Sequence, residues 1–176
     1  MMIDQIIVGQ PMPAEIPDFG IDNQGVNLLF LSEGIIIKER LGFSYIPYVP
    51  CNVNCLYIKE SETPEIISSK FTGCLMVAWE DENGLYVGHV HAGGQYDCKG
   101  IWREKAANSY RSFQFRPSDA IPTPSENLKM PSCYGFIEFD DTSDIIAAFS
   151  VLADMNNMVT VKKMMFKGHF TGHIEI

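Results

Sequence analysis

Long apolar runs are missing from this sequence: none approaches the roughly 20 residues that a helix needs to cross a bilayer. Positive charge is scarce as well, with 13 Lys and Arg against 22 Asp and Glu and a formal charge of −9. Such a balance repels phosphate, so binding to nucleic acid and adsorption to an anionic membrane are excluded as general functions. The opening residues MMIDQIIVGQPMP have no basic segment and only a short apolar one, which argues against a secretory signal. The expected location is the cytoplasm, or a target cell reached through a dedicated export system. Repeats, low-complexity tracts and long linkers are absent too, and 176 residues with 46% apolar content suit one domain with a full core. Residues 1–25, rich in Pro and Gly, are expected to form an irregular arm on its surface.

Cysteine is present in an odd number, Cys51, Cys55, Cys74, Cys98 and Cys133, which does not suit a disulfide scaffold. Each thiol then needs a reason as core, ligand or nucleophile. Cys133 before a strand reads as core, and Cys98, after Gly93-Gly94-Gln95-Tyr96-Asp97, as an exposed bystander. Trp79 and Trp102 read as packing anchors. Arg103, Lys105, Arg111 and Arg116 form the one basic cluster, expected on a solvated strand face. No P-loop, Rossmann glycine motif, Gly-x-Ser-x-Gly elbow or His-Glu-x-x-His occurs.

Strand-like runs dominate what is there: 28–31, 34–39, 45–49, 55–59, 72–79, 85–91, 109–115, 134–139 and 159–166. One helix is expected after Asp141-Thr142-Ser143, where Ile145, Ile146, Phe149, Leu152 and Ala153 recur at helical spacing. Pro64–Lys70 and Trp102–Asn108 are expected to form one or two helical turns each. The fold class is therefore α+β: a β-rich sandwich of mostly antiparallel strands with a few helices outside.

The segment FTGCLMVAWEDENGLYVGHVHAGG reads as a hairpin around Asn83-Gly84. Side chains alternate along strands, so a two- or four-residue loop puts Cys74, Met76 and Ala78 on one face with His89 and His91. A four-residue loop sets His91 opposite Cys74 and His89 opposite Met76, a diagonal step from the cysteine. Thiol and imidazole on adjacent strands are the parts of an activated nucleophile, in which an imidazolium lowers the thiol pKa and stores its proton. Gly73 leaves space for a substrate carbonyl, and backbone N–H groups there suit an oxyanion.

Phe71-Thr72-Gly73-Cys74 resembles the Leu-Ser-Gly-Cys motif of the cytotoxic-necrotizing-factor and lethal-factor type toxins, which are related in fold to the chemoreceptor glutamine deamidases. Phe71 and Thr72 replace the usual Leu and Ser. A gapless alignment through Asn83-Gly84-Leu85-Tyr86 puts the family's histidine at His89. The resemblance implies a β-sandwich bacterial effector or toxin that hydrolyses a glutamine carboxamide on a partner protein through a thioester, with no cofactor and no metal. Cys74 would be the nucleophile and His89 the general base or acid. His91 is a second candidate base, because related deamidases vary in cysteine-to-histidine spacing. Some relatives carry a hydroxyl six positions before the cysteine, where Ser68 stands, and others use a backbone carbonyl as the orienting group. Thr72 and Gly73 would support the site.

Three other readings compete. In one, the chain is a non-enzymatic, acidic, β-rich interaction module with Cys74 merely in its core. In the second, His89 and His91 bind a metal in a cupin-like β-barrel, with His169 or His173 as a distant ligand and Gln95 in place of the usual carboxylate. In the third, Cys51, Cys55, His169 and His173 hold zinc.

Overall fold

A computed structural model describes residues 2–13, 31–33, 44–46, 48, 53–59, 65–93, 97–120, 132–142 and 144–176. Eleven strands follow in chain order: β1 (Leu31–Glu33), β2 (Ser44–Ile46), β3 (Val53–Ile58), β4 (Glu65–Ser69), β5 (Leu75–Asp81), β6 (Gly84–Val90), β7 (Arg111–Phe115), β8 (Ser132–Phe139), β9 (Ile145–Ala153), β10 (Val159–His169) and β11 (His173–Glu175). Helix α1 (Cys98–Ala107) lies between β6 and β7, and 3-10 turns cover Met2–Gln5 and Pro117–Ala120. Sheet one has the order β1-β3-β6-β5-β7-β11, and sheet two β10-β9-β8-β4-β2. Pairing is antiparallel except for β1–β3, β7–β11 and β2–β4, so this is the expected β-rich α+β sandwich.

Strand alternation sorts the apolar residues into three layers. Between the sheets, Leu56, Met76, Val87 and Phe115 of sheet one meet Ile66, Ile137, Ile146 and Leu152 of sheet two. On the far face of sheet one, Val77, Trp79 and Val90 are covered by Cys98 and Trp102 of α1. On the far face of sheet two, Ile67, Phe136 and Val151 are covered by Ile3, Ile6 and Met12 of the N-terminal arm. The described part of that arm is anchored by Gly9 N–H to Val159 O at 2.8 Å and Met12 N–H to Asn157 O at 2.8 Å.

This layering explains the departures from the sequence reading. The helix expected over 145–153 is strand β9. Ile146, Ala148 and Leu152 point between the sheets, while Val151 and Ala153 point under the arm. A strand buried on both faces reads as a continuous apolar run, which periodicity does not separate from a helix. The helical turns expected at 64–70 are strand β4 for the same reason, with Ile66 and Ile67 on opposite buried faces. The turn expected over 102–108 is real and longer: Asp97 caps α1 by accepting from Gly100 N–H at 2.9 Å. The strand expectations at 28–30 and 34–39, and residues 14–25 of the arm, lie outside the described residues.

Cys98 is no exposed bystander. It begins α1 and is 2% exposed against Trp102. Cys133, Trp79 and Trp102 are core as expected. The basic residues do not share a strand face either. Lys105 on α1 pairs with Asp81 at 2.5 Å, and Arg111 on β7 pairs with Glu80 at 2.5 Å and lies over the Phe170 ring.

Sheet two holds one unfavourable pairing. Glu65 and Glu138 stand directly opposite each other on β4 and β8, and Glu138 Oε2 is buried with no partner among the described residues. Burial, then the charges of Glu65 and Asp4, push the Glu138 carboxyl up from 4.5, while Lys167 pulls it back. A carboxyl whose native pKa is raised favours folding below its unfolded value, and that contribution is lost as pH rises through the native value. Urea titrations from pH 4.5 upward should find Glu138→Gln gaining stability over wild type as pH increases. A wild-type minus variant difference that does not change with pH would refute this linkage.

Candidate active site

The site is built where the inner faces of β6 and β4 meet. On β6, His89 lies opposite Asn54 of β3 and Met76 of β5, so its ring enters the space between the sheets, where it is 1% exposed. The turn is tighter than a four-residue loop, with Asp81 paired to Gly84, yet it keeps the expected register of His89 opposite Met76. Across the gap, fully buried Ser68 of β4 brings its Oγ to 2.7 Å from His89 Nδ1. Ser68 Oγ also donates to the Ile46 carbonyl of β2 at 2.6 Å.

These two bonds settle the tautomer. A serine hydroxyl has one proton, and here it goes to a carbonyl, which can only accept. Ser68 must therefore accept from His89, so Nδ1 carries the ring proton and Nε2 keeps its lone pair. Nε2 is buried and has no hydrogen-bond partner among the described residues. The ring is fixed by Phe71, stacked at 4.1 Å and 9°, and by Tyr48, tilted at 5.3 Å. Burial, and secondarily the charge of His91, lowers the His89 pKa from 6.5 to about 3.

Cys74 lies just before β5, 3% exposed, in the same apolar cluster as Phe71 and Met76. The chain turns sharply to reach it. Lys70 takes a left-handed φ of 65° and Gly73 a φ of 142°. Such a conformation at a non-glycine residue costs on the order of 1–3 kcal/mol. A Cβ at Gly73 would meet nothing within 4 Å, so there is open space beside the cysteine, as the sequence suggested. Burial pushes the Cys74 thiol up from 9.0, while backbone hydrogen bonds at Ala92 and Thr72, the Lys99 charge and its own backbone pull it down.

The expected thiolate–imidazolium pair is therefore not the resting state. With the thiol raised and the imidazole lowered, both groups are neutral at pH 7. No hydrogen bond joins Cys74 to Nε2. Extending the ladder one step past Leu75–Val90 sets His91 opposite Cys74, so both histidines share the cysteine's face. They have different partners. His91 is half-buried with Nδ1 2.9 Å from the Tyr48 hydroxyl, and Ser68 is bonded to His89. Thr72 is exposed, and only its backbone faces the thiol.

The described members of the competing ligand sets do not converge. Cys55 lies under α1, on the far side of sheet one from His89. His169 ends β10, and His173 on β11 has Nδ1 2.7 Å from Ser112 Oγ. Cys51 and Gln95 lie outside the described residues. Among the described residues, no three His, Cys, Asp or Glu side chains converge to hold a metal.

Three contributors escaped the sequence: the Ile46 carbonyl, Tyr48 and Asn54. The first is backbone, which no sequence signals. Tyr48 comes from a separate, short segment. Asn54, 2% exposed among Val53, Leu56 and Ile58, did leave a signal: a polar residue on the core face of a buried strand.

Nitrogen-15 NMR of the imidazoles should find His89 as the Nδ1–H tautomer, with no titration between pH 5 and 8. Because its native pKa is depressed, its contribution to stability should fade as pH drops from 6.5 toward 3. Ser68→Ala should release the tautomer and cost about 1–3 kcal/mol in a denaturant titration. A His89 that titrates near 6.5 in the wild type would overturn this geometry.

Comparison with protein-family models, with curated protein sequences and with solved structures found no match, so a functional assignment has to be argued from side-chain geometry.

Proposed function

We propose that the chain is a cysteine-dependent glutamine deamidase that acts on a partner protein. One observation carries the reading: His89 is locked by Ser68 with Nε2 bare, buried and unpartnered among the described residues, and it is stacked on Phe71 and paired with Met76, which share a core cluster with Cys74. A buried lone pair without a donor is costly in a finished core and useful in a general base. The resemblance of Phe71–Cys74 to the deamidase toxins points to the same two residues.

The neutral resting pair sets the mechanism. Cys74 gives its proton to His89 Nε2 as sulfur attacks the glutamine carboxamide carbon, so thiolate forms only when substrate is bound. The developing oxyanion is taken by backbone N–H groups at Thr72, Cys74 and Ala92, the positions whose hydrogen bonds already favour negative charge at the sulfur. His89 returns the proton to the departing nitrogen, and ammonia leaves. Water then loses a proton to His89 and attacks the thioester, and Cys74 is reprotonated as glutamate is released. Ser68 keeps His89 in the required tautomer throughout, as an orienting group does in a catalytic triad. The acidic surface complements a basic patch on the target protein.

Burial of Cys74 favours a second reading, a non-enzymatic interaction module in which the thiol is only core filler. Alkylation does not separate the two. Under either, iodoacetamide should modify Cys74 slowly at pH 7 and faster only above pH 9, given its raised thiol. Turnover does separate them. A cell lysate incubated with the protein should gain glutamate at specific glutamines by mass spectrometry. Cys74→Ala should abolish the gain, and His89→Ala should slow it about 10²–10⁴-fold. Full conversion by Cys74→Ala, or none by a correctly folded wild type across many lysates, would remove the deamidase reading.

A further inference from the structure

The far face of sheet one carries a second constellation that the Cys74 site does not use. Here β7 and β11 run parallel, pairing Ser112 with His173 and Gln114 with Glu175. Helix α1 overhangs these pairs with Arg103, Ala106 and Ala107, and a cavity of about 290 Å³ lies between helix and strands.

Its polar groups have fixed or available roles. Trp102 Nε1–H, which can only donate, bonds Gln114 Oε1 at 2.7 Å. The carboxamide is thereby oriented, with both amide protons of Gln114 left for another acceptor. Ser112, 4% exposed, is 2.7 Å from His173 Nδ1 and forms a polar floor with it. Arg103 of α1 and Glu175 of β11 both line the cavity and make no ion pair with each other or with any other described residue. Ala106 and Ala107 supply an apolar wall.

A cation on the helix and an anion on the strand that line one cavity match a ligand that carries both charges. The volume lies just under the roughly 300–1,000 Å³ of small-molecule sites, which suits a ligand the size of a single amino acid. We propose that this cavity binds a free α-amino acid with a small aliphatic side chain. Arg103 and the Gln114 amide protons take the carboxylate, Glu175 takes the ammonium, and the side chain lies against Ala106 and Ala107. Charge-assisted bonds at both ends provide the selectivity.

The test uses L-valine with two half-ligands: L-valinamide, which lacks the carboxylate, and 3-methylbutanoate, which lacks the ammonium. Binding is followed by calorimetry and by NMR of the Gln114 side-chain amide. Valine should shift that amide saturably with one-to-one stoichiometry, and each half-ligand should bind at least about tenfold more weakly. Arg103→Ala and Glu175→Gln, both at exposed positions, should each weaken valine by about tenfold or more while circular dichroism stays unchanged. Cys74→Ala should bind valine normally, because that residue lies on the other face of the sheet. No saturable shift at millimolar valine would overturn the proposal, as would half-ligands binding as tightly as valine or variants that bind unchanged.

Discussion

The hydrogen bond from His89 to Ser68 crosses a layer that is otherwise hydrocarbon. Each partner comes from a different sheet, and Ser68 is tied in turn to the Ile46 carbonyl of a third strand. In a low-dielectric interior an unpaired polar group costs several times what a paired one contributes. The bond therefore fixes how the two sheets meet at this end of the sandwich, and it makes any slip of β6 against β4 expensive. Phe71 adds to the constraint by stacking on the imidazole, which places the turn before Cys74 over the same ring.

The rest of the architecture keeps that layer dry. Both sheets are covered on their outer faces, one by α1 and the other by the N-terminal arm. The inner strands can then be apolar on both sides. Desolvation is the largest influence on both Cys74 and His89, and it acts in opposite directions on their pKa values. It favours the neutral form of each. In the deamidase mechanism proposed above, such a pair would stay neutral until a bound substrate's oxyanion met backbone donors of the site.

The two faces of sheet one have taken on different chemistry. The inner face presents a thiol and an imidazole deprived of water. The outer face, at the β7–β11 edge, presents charged groups that stay hydrated beside α1. Strand alternation makes this division possible, because neighbouring residues of one strand serve opposite faces. Phe113 is core while Ser112 and Gln114 line the outer cavity.

Much of the plan was readable from local pattern. The hairpin register that pairs Met76 with His89 follows from parity and a turn signal, and the core roles of Cys133, Trp79 and Trp102 follow from composition. The candidate set of Cys74, His89 and Ser68 came from a motif and its spacing. The sequence misled at β9 and β4, where burial on both faces erased the alternation that marks a strand, and at Cys98, whose glycine-rich lead-in hid a helix start. The choice between His89 and His91 as the partner of Ser68 was made by tertiary structure, as were the tautomer and the neutral resting state. Those depend on which strand crosses which across the sandwich, and on how much water the crossing expels. A linear sequence determines which residues share a face of a strand; only the packing of two sheets determines what that face meets.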